Sequence, residues 1–320
     1  MNVPTGLADY VKDNDDFSLF VHVSPDGDAI GAALAISGGI AYLGKKVSVY
    51  SRDKLPDMYD YLPGIKQVKL FTELNGMEAS TLVLVDCNKP ERAGIEGIAF
   101  KSSIVIDHHL TESGFGDIKW VETESPATGL MAYYFLKHMG VPITEDMAVQ
   151  MYTAIAVDTG TFRFSSTTAE TLRVASELVS LGVKPSFIAD RLYNNWSEGR
   201  FMLLQRMLGS LEIHDKTAIA FVTGRMMHET GTRSEDTEDF VNFPIMVDTI
   251  KVSVLLREVG EGLWKGSLRS HGDVNVSEVA ALLGGGGHRN AAGFRVAGDA
   301  QSARTAVLEC LAGVTRGGRP

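Results

Sequence analysis

The sequence has few cysteines, no long apolar stretch and no excess of basic residues, and each of these absences excludes a class of protein. Two cysteines, Cys87 and Cys310, cannot form a disulfide framework, which favours a reducing compartment. No apolar run approaches the ~20 residues that a membrane-spanning helix needs, and the first residues lack the pattern of a secretory signal. We therefore expect a cytoplasmic protein that does not contact a membrane.

The charge balance disfavours one class of partner. The chain of 320 residues carries 30 basic and 40 acidic side chains, which gives a formal net charge of −10. Such a charge argues against a broad electrostatic grip on duplex DNA. It does not exclude a small phosphorylated substrate, because bound metal ions would dominate the field near that substrate.

The residue pattern predicts an α/β protein of two domains. In the first half, short apolar runs alternate with helical patterns, as in a parallel sheet with crossover helices. The predicted strands there cover 19–23, 47–50, 81–85 and 103–106, and the predicted helices cover 29–43, 127–139, 145–157 and 169–181. After a helix at 198–208 the pattern becomes β-rich, with strands at 211–213, 218–222, 250–257 and 263–270 and helices at 276–283 and 300–311. We predict a parallel-sheet domain over 1–185, a helical linker over 186–208 and a smaller mixed-sheet α/β domain over 209–320.

Acidic and imidazole side chains recur where the elements of the first half end. The clusters are His22 with Asp26 and Asp28, then Asp86, then Asp107-His108-His109, and finally Asp158. Because the carboxyl ends of parallel strands meet at one edge of a sheet, we expect these groups to converge. Carboxylates packed so closely repel one another unless a cation lies between them.

Each of these residues taken alone has an ordinary structural explanation, such as a helix cap or a solvated turn. Their joint placement at element ends favours a metal site. Carboxylate and imidazole ligands without thiolates suit Mn²⁺, Mg²⁺ or Fe²⁺ better than structural zinc. So many ligands exceed the need of one ion, which predicts a two-metal site with a bridging carboxylate, of the kind that activates water for phosphoryl displacement.

A glycine-rich segment at 284–293 is the second candidate site. Its backbone N–H groups can approach an anion closely, although a flexible connector is the alternative interpretation. Arg257 and Lys265 lie on neighbouring predicted strands, and strand alternation leaves open which of them faces the site. The predicted substrate contacts are Arg269, Ser270, Gly286, Gly287, His288 and Arg257.

Together these residues resemble the motifs of a known family. His22-x3-Asp26-x-Asp28, Asp86, Asp107-His108-His109 and Asp158 are similar to the four motifs of the DHH phosphoesterases. The segment 284–293 resembles the GGGH signature of the DHHA1 domain. The similarity covers nearly the whole chain, and the length and domain order resemble the NrnA-like group of bifunctional oligoribonucleases and pAp phosphatases.

The resemblance implies a role for each residue of the first cluster. One metal ion would be bound by His22 and Asp26, and a second by Asp28, His108 and Asp158, with Asp86 bridging both. Asp107 would orient His108, and His109 would face the scissile phosphate. The resemblance implies Mn²⁺ as the usual activator, and the residues themselves are equally compatible with Mg²⁺.

We therefore expect a metal-dependent phosphoesterase. It would hydrolyse short single-stranded RNA to nucleoside 5′-monophosphates and remove the 3′-phosphate of pAp, with a hydroxide bridging two metal ions as the nucleophile. A phosphodiesterase for linear or cyclic dinucleotides (pApA, pGpG or cyclic di-AMP) is the alternative, since it uses the same motifs. A non-catalytic nucleotide-binding module would require the loss of a ligand, and none is lost. The sequence leaves open whether the chain forms a homodimer and whether residues 232–239 form a lid.

Overall fold

The computed structural model describes residues 1–71, 78–109, 114–272 and 274–317. The chain divides into two compact units, Met1–Asn195 and Trp196–Pro320. The predicted linker 186–208 includes the end of one unit and the beginning of the other. Among the described helices, none combines the length and apolar character needed to span a bilayer.

The first unit is built around a parallel sheet of six strands. Its strands are β1 (Asp16–Phe20), β2 (Lys46–Ser51), β3 (Lys69–Leu70), β4 (Glu78–Val85), β5 (Ala99–Asp107) and β6 (Ile118–Val121). They lie in the order β3-β2-β1-β4-β5-β6, and every described pairing is parallel. The predicted parallel sheet is thus confirmed. From β1 the chain first runs outward to β3 and then returns to β4 on the other side, which opens a crevice at the carboxyl ends of β1 and β4.

Helices enclose this sheet. They are α1 (Thr5–Asp13), α2 (Gly27–Tyr42), α3 (Pro90–Ala93), α4 (Thr128–His138), α5 (Glu145–Asp158), α6 (Ala169–Ser180) and α7 (Pro185–Tyr193). The apolar helix α2 is buried along most of its length between the sheet and α5. Gly31 permits this close approach, since a Cβ there would lie 2.4 Å from the carbonyl oxygen of Gln150. The beginning of α2 is therefore held rigidly at the crevice.

The second unit contains a mixed sheet, as predicted, and this sheet has six strands. Its strands are β7 (Glu212–His214), β8 (Thr217–Val222), β9 (Val252–Gly260), β10 (Leu263–Ser270), β11 (Gly286–His288) and β12 (Ala291–Ala297), in the order β11-β12-β10-β9-β8-β7. Its helices are α8 (Glu198–Gly209), α9 (Gly224–Thr230), α10 (Val276–Leu282) and α11 (Ala300–Gly317). β8 and β9 pair in parallel, and the other described pairs are antiparallel. Apolar residues of α10 and α11 pack on one face of the sheet, and those of α8 pack on the other face.

Three local expectations differ from the structure. The strand predicted at 19–23 covers Asp16–Phe20 instead, so its hydrogen-bonded pairing with the neighbouring strands ends before His22. Part of the glycine-rich segment is not a turn, because Gly286–His288 pairs with β12 as a short strand. The strands β3 and β6 were not predicted: β3 has only two residues, and both β6 and β3 lie at the edges of the sheet, where burial imposes a weaker apolar pattern.

Candidate metal centre

The carboxyl edge of the first sheet gathers the predicted acidic and imidazole residues. Three overlapping groups place their ligand atoms within 4.8 Å of one another: His22, Asp26 and Asp86; Asp28, His108 and Asp158; and Asp86, His108 and His109. Seven residues that are far apart in the sequence thus form one cluster. Its position beside β1 and β4 is the switch point at which parallel α/β sheets bind ligands.

Asp86 lies at the centre of the cluster, directly after β4. Its backbone has a positive φ of 61°, a conformation that aspartate adopts more readily than most residues. Its Oδ2 lies 3.5 Å from Nε2 of His22, and its Oδ1 lies 3.4 Å from Nε2 of His108. One buried carboxylate therefore faces a different imidazole with each of its oxygens.

Main-chain carbonyls orient these two imidazole rings. Nδ1 of His22 lies 2.9 Å from the carbonyl oxygen of Val23, and Nδ1 of His108 lies 3.0 Å from that of Ser125. A carbonyl can only accept, so Nδ1 carries the proton in each neutral ring. Both Nε2 atoms are then available as ligands, which is the usual arrangement of metal-binding histidines.

Asp28 is completely buried and joins two helices. Its Oδ2 accepts a hydrogen bond from the backbone N–H of Thr128, and its Oδ1 accepts one from that of Gly129, both at 2.7 Å. These donors are the first two residues of α4, whose N–H groups have no partner within the helix. Burial and the negative charges of Asp86 and Asp158 raise the pKa of Asp28 well above its usual value. Nearby positive charge would therefore favour its ionised form.

Asp26 begins α2 as its N-cap. Its Oδ1 accepts hydrogen bonds of 3.0 Å from the backbone N–H groups of Asp28 and Ala29. Burial and the charge of Asp86 raise the pKa of Asp26 as well. The ordinary explanation, a helix cap, is thus correct for Asp26, yet the same carboxylate also lies 3.9 Å from Nε2 of His22.

Asp107 holds the ring of a different histidine from the one we expected. The sequence-based role was to orient His108, whose ring is instead held by Ser125. Oδ1 of Asp107 accepts a 2.7 Å hydrogen bond from Nδ1 of His109 and a 2.9 Å bond from the backbone N–H of His108. Asp107 is buried, whereas His109 is partly exposed. The ring of His109 is therefore oriented by a buried carboxylate.

The cluster fits a divalent cation. Nε2 of His108 is buried and has no hydrogen-bond partner among the described residues, yet it faces carboxylate oxygens of Asp158, Asp86 and Asp28 at 3.1, 3.4 and 3.7 Å. Burial lowers the pKa of His108, but the nearby carboxylates of Asp158 and Asp86 outweigh it and raise the pKa to about 9. The ring thus lies where positive charge is strongly stabilised. A metal ion would supply that charge and give the nitrogen its missing partner.

Sequence reasoning missed the residues that hold the ligands in place. Thr128 donates from its hydroxyl to Oδ1 of Asp86 at 2.8 Å, in addition to its backbone bond with Asp28. Ser125 supplies the carbonyl that orients His108. The only signal was a cluster of cap-forming residues before α4. Their targets lie far away in the sequence and could not be inferred from it.

The predicted substrate contacts of the second unit divide between two faces of its sheet. Arg269 on β10 pairs with Ala291, which in turn pairs with His288 on β11, so Arg269 and His288 share a face. Ser270 is buried on the opposite face, where its hydroxyl donates to the carbonyl of Val274 at 2.8 Å. Its contacts therefore stabilise the loop after β10. Arg257, on β9, lies on the face of Arg269.

The glycines of the second unit have unequal roles. A Cβ at Gly287, where φ is +149°, would lie 2.5 Å from the carbonyl oxygen of Ala291, so the hairpin between β11 and β12 requires glycine there. A Cβ at Gly285 would lie 2.1 Å from the carbonyl oxygen of Gly293. Gly286 has open space instead. Packing therefore explains Gly285 and Gly287, whereas Gly284 and Gly286 have no atom near the position of a Cβ.

Comparisons with known proteins identify the family. Residues 17–155 match the DHH family, N-terminal domain, and residues 215–313 match the DHHA1 domain. The chain is 36% identical over 296 residues to the bifunctional oligoribonuclease and PAP phosphatase NrnA of Thermus thermophilus, covering 92% of this chain and 88% of the relative. The NrnA of Bacillus subtilis is 24% identical and covers 88% of this chain and 90% of the relative.

Solved structures agree with these matches. An exopolyphosphatase-related protein from Bacteroides fragilis superposes with a TM-score of 0.90 at 28% identity, covering 96% of this chain and 95% of the other. The exonuclease RecJ of Thermus thermophilus, solved with Mn²⁺, has a TM-score of 0.54 at 15% identity, covers 97% of this chain and 54% of the other, and shares the fold. The chain belongs to the DHH family of phosphoesterases and carries a DHHA1 domain.

Proposed function

We propose that the protein hydrolyses the phosphodiester bonds of short oligoribonucleotides and removes the 3′-phosphate of pAp. The observation that carries this proposal is the carboxylate of Asp86, which faces the imidazoles of His22 and His108 at the sheet edge. Relatives that align with about nine-tenths of this chain are named as oligoribonucleases and PAP phosphatases.

The proposed site holds two divalent ions, with Mn²⁺ as the first candidate. His22 and Asp26 would bind one ion, Asp28, His108 and Asp158 would bind the other, and Asp86 would contribute one oxygen to each. The carboxylates suit both Mn²⁺ and Mg²⁺, and the imidazole nitrogens favour Mn²⁺, because Mg²⁺ prefers oxygen ligands. When bound, such ions lower the pKa of a water molecule and neutralise charge on phosphate oxygens.

Three residues of the chain would orient the candidate ligands and act on the substrate phosphate. Asp107 keeps the proton of His109 on Nδ1, so a protonated His109 would present Nε2–H to the substrate. From that atom it would stabilise the developing phosphate charge or pass a proton to the leaving oxygen. Thr128 would fix the orientation of Asp86 through its hydroxyl.

Binding of the substrate phosphate and base is assigned to the second unit. Arg269 and His288 share a sheet face and are both at least partly exposed, and Gly286 lies two residues before His288 on β11, the edge strand of the sheet. A guanidinium and an imidazole next to free backbone N–H groups form a suitable set of donors for a phosphate. Ser270 is buried on the opposite face, so we propose no direct substrate contact for it.

The test is Mn²⁺-dependent hydrolysis of a substrate panel. The panel contains 5′-labelled RNAs of two to twenty-four nucleotides, pAp, pGpG and cyclic di-AMP. We expect cleavage of the shortest RNAs and of pAp, both abolished by EDTA. Preference for a single dinucleotide would assign the protein to dinucleotide turnover instead. No product from any substrate, with metal bound, would refute the proposal.

A further inference from the structure

Three neighbouring strands of the second unit carry a basic residue at the same level of the sheet. Arg257 on β9 pairs with Lys265 on β10, and Lys265 pairs with Arg295 on β12. Residues directly opposite in antiparallel strands point to the same face, and neighbouring strands lie about 4.8 Å apart. We refer to Arg257, Lys265 and Arg295 as the basic row.

The head groups of the basic row are accessible. On β10 the alternation is clear, since Trp264 and Leu268 are buried and Lys265 is exposed. On β12 Phe294 is buried and Arg295 is exposed. The basic row therefore lies on the face opposite the one that packs against α10 and α11.

The basic row forms no ion pair among the described residues of the unit. Other arginines there do form ion pairs: Arg206 and Arg225 with Glu229, and Arg304 with Glu212. Among the residues that the structure describes, none of the basic row lies within 4.0 Å of a carboxylate oxygen. Like charges placed opposite each other destabilise a sheet. The three side chains repel one another and have no ion pair to offset that repulsion, although the chain as a whole has a net charge of −10. Such a row can bind an anion from outside the unit.

Arg257 is the member that is partly withdrawn from solvent. Burial lowers the pKa of its guanidinium, whereas the negative charge of Glu235 acts in the opposite direction without forming an ion pair. A partly desolvated guanidinium gains more from a phosphate than an exposed one does, because the effective dielectric constant is lower there.

The basic row is separate from Arg269 and His288. Lys265 and Arg269 are four residues apart on the same face of β10, a distance of about 13 Å at 3.4 Å per residue. On β10, β12 and β11 the intervening level contains only small residues, Ser267, Gly293 and Gly286, whereas Leu255 at this level of β9 is buried in the cluster that includes α8. Phosphates recur about every 3.4 Å along the axis of a helical strand, so ~13 Å spans on the order of two to four nucleotides.

We propose that the basic row is a second phosphate subsite, which binds backbone phosphates of an oligoribonucleotide several nucleotides away from those at Arg269 and His288. This inference rests on the proposed function and refines its substrate class. An RNA of about five nucleotides would occupy both subsites, whereas pAp would occupy only the one at Arg269 and His288. The basic row would thus add affinity for RNA without changing affinity for pAp.

The experiment compares binding of the two ligands in metal-free buffer. Affinity for a labelled five-nucleotide RNA is measured by fluorescence anisotropy, and affinity for pAp by competition. We expect Lys265→Glu and Arg295→Glu each to weaken RNA binding about tenfold and to leave pAp binding within about twofold. The slope of log affinity against log salt should fall by about 0.7 for each phosphate that the variant no longer neutralises.

Two controls separate this effect from misfolding and from net charge. Lys265→Gln removes a like-charge repulsion, so its melting temperature should not fall below that of the wild type. Lys101→Glu makes the same charge change as Lys265→Glu, but on an exposed residue near the amino end of β5, and should leave RNA binding unchanged.

The possible failures are distinguishable. Any of three results would overturn the second subsite. Lys265→Glu and Arg295→Glu could both leave RNA affinity unchanged, they could weaken RNA and pAp binding equally, or Lys101→Glu could lower RNA affinity by the same factor. Row variants that selectively weaken RNA binding, in a protein that cleaves no RNA with Mn²⁺ present, would support the subsite and refute the proposed function.

Discussion

The two units differ in the burial and the hydrogen bonding of their charged side chains. In the first unit, carboxylates and imidazoles are buried or half-buried. They are fixed by hydrogen bonds with α4, with the carbonyl oxygen of Ser125 and with one another. In the second unit, Arg257, Lys265, Arg269 and Arg295 lie on the sheet face opposite α10 and α11 and are partly or fully exposed, and among the described residues they form no ion pairs. A reaction centre needs ligands fixed within fractions of an ångström, whereas a phosphate-binding face tolerates mobile side chains. The contrast is that of a fixed cluster of buried side chains and a face that we propose to be an adaptable binding surface.

The largest expected effect comes from Asp86→Asn. The variant keeps the shape of the side chain but removes the charge that faces His22 and His108. If metal ions contribute several kcal/mol of charge stabilisation, turnover should fall by at least about 10³-fold. The measurement is kcat with saturating Mn²⁺. Asp16→Asn, at the amino end of β1, is the matched control and should retain activity. Near-normal turnover in Asp86→Asn would contradict the proposed centre.

Metal removal should destabilise the first unit selectively. An ion present at 100 times its dissociation constant adds about 2.7 kcal/mol to the free energy of unfolding. For a unit of this size that shifts the melting temperature by roughly 5–10 °C. Calorimetry with Mn²⁺ or EDTA measures the shift. The same melting temperature in both buffers would show that the carboxylates do not hold an ion in the folded protein.

Thr128→Val tests whether the hydrogen bond from the Thr128 hydroxyl holds the carboxylate of Asp86 in position. Valine cannot donate to Oδ1 of Asp86, while the backbone bond from residue 128 to Asp28 remains. Loss of such a supporting hydrogen bond typically costs about 10–100-fold in metal affinity or activity. Titration of activity with Mn²⁺ measures the change. Thr128→Ser keeps the hydroxyl and should behave like the wild type. If both variants match the wild type, Thr128 is not a positioning residue.

The smallest effect is expected in the second unit. His288→Ala removes one hydrogen bond, worth about 0.5–1.5 kcal/mol, so KM for pAp should rise by roughly two- to tenfold while kcat changes little. Steady-state kinetics separates the two constants, and His228→Ala on α9 is the control. A fall in kcat with unchanged KM would assign His288 to the reaction itself and remove the contrast between the units.

Much of the fold was readable from the sequence because both units have strong patterns. Central strands that are buried on both faces appear in the sequence as continuous apolar runs. The bounds predicted for the strand that contains Thr81 and for the strand that begins at Leu263 agree with the structure to within a few residues. Edge elements were missed because partial exposure weakens the pattern. One example is β6, whose alternate residues Lys119 and Val121 are exposed.

The candidate ligands of the site were predictable from the sequence for a different reason. Most of them lie at or just after the carboxyl end of a parallel strand, so the rule that such strands end at one edge predicts their convergence. Asp158, at the end of α5, is not placed by that rule. The supporting contacts were not readable, since Thr128 and Asp28 are one hundred residues apart and meet only in three dimensions. The partner of Asp107 could not be assigned either, because the choice between His108 and His109 depends on side-chain direction after β5.

The number of Mn²⁺ ions bound to each chain tests the central claim most directly, since Asp86 can bridge only if two ions are present. We predict two ions per chain by equilibrium dialysis, with an electron paramagnetic resonance spectrum of spin-coupled Mn²⁺, and loss of that coupling in Asp86→Asn. A single ion per chain in a fully active protein would contradict the two-metal centre.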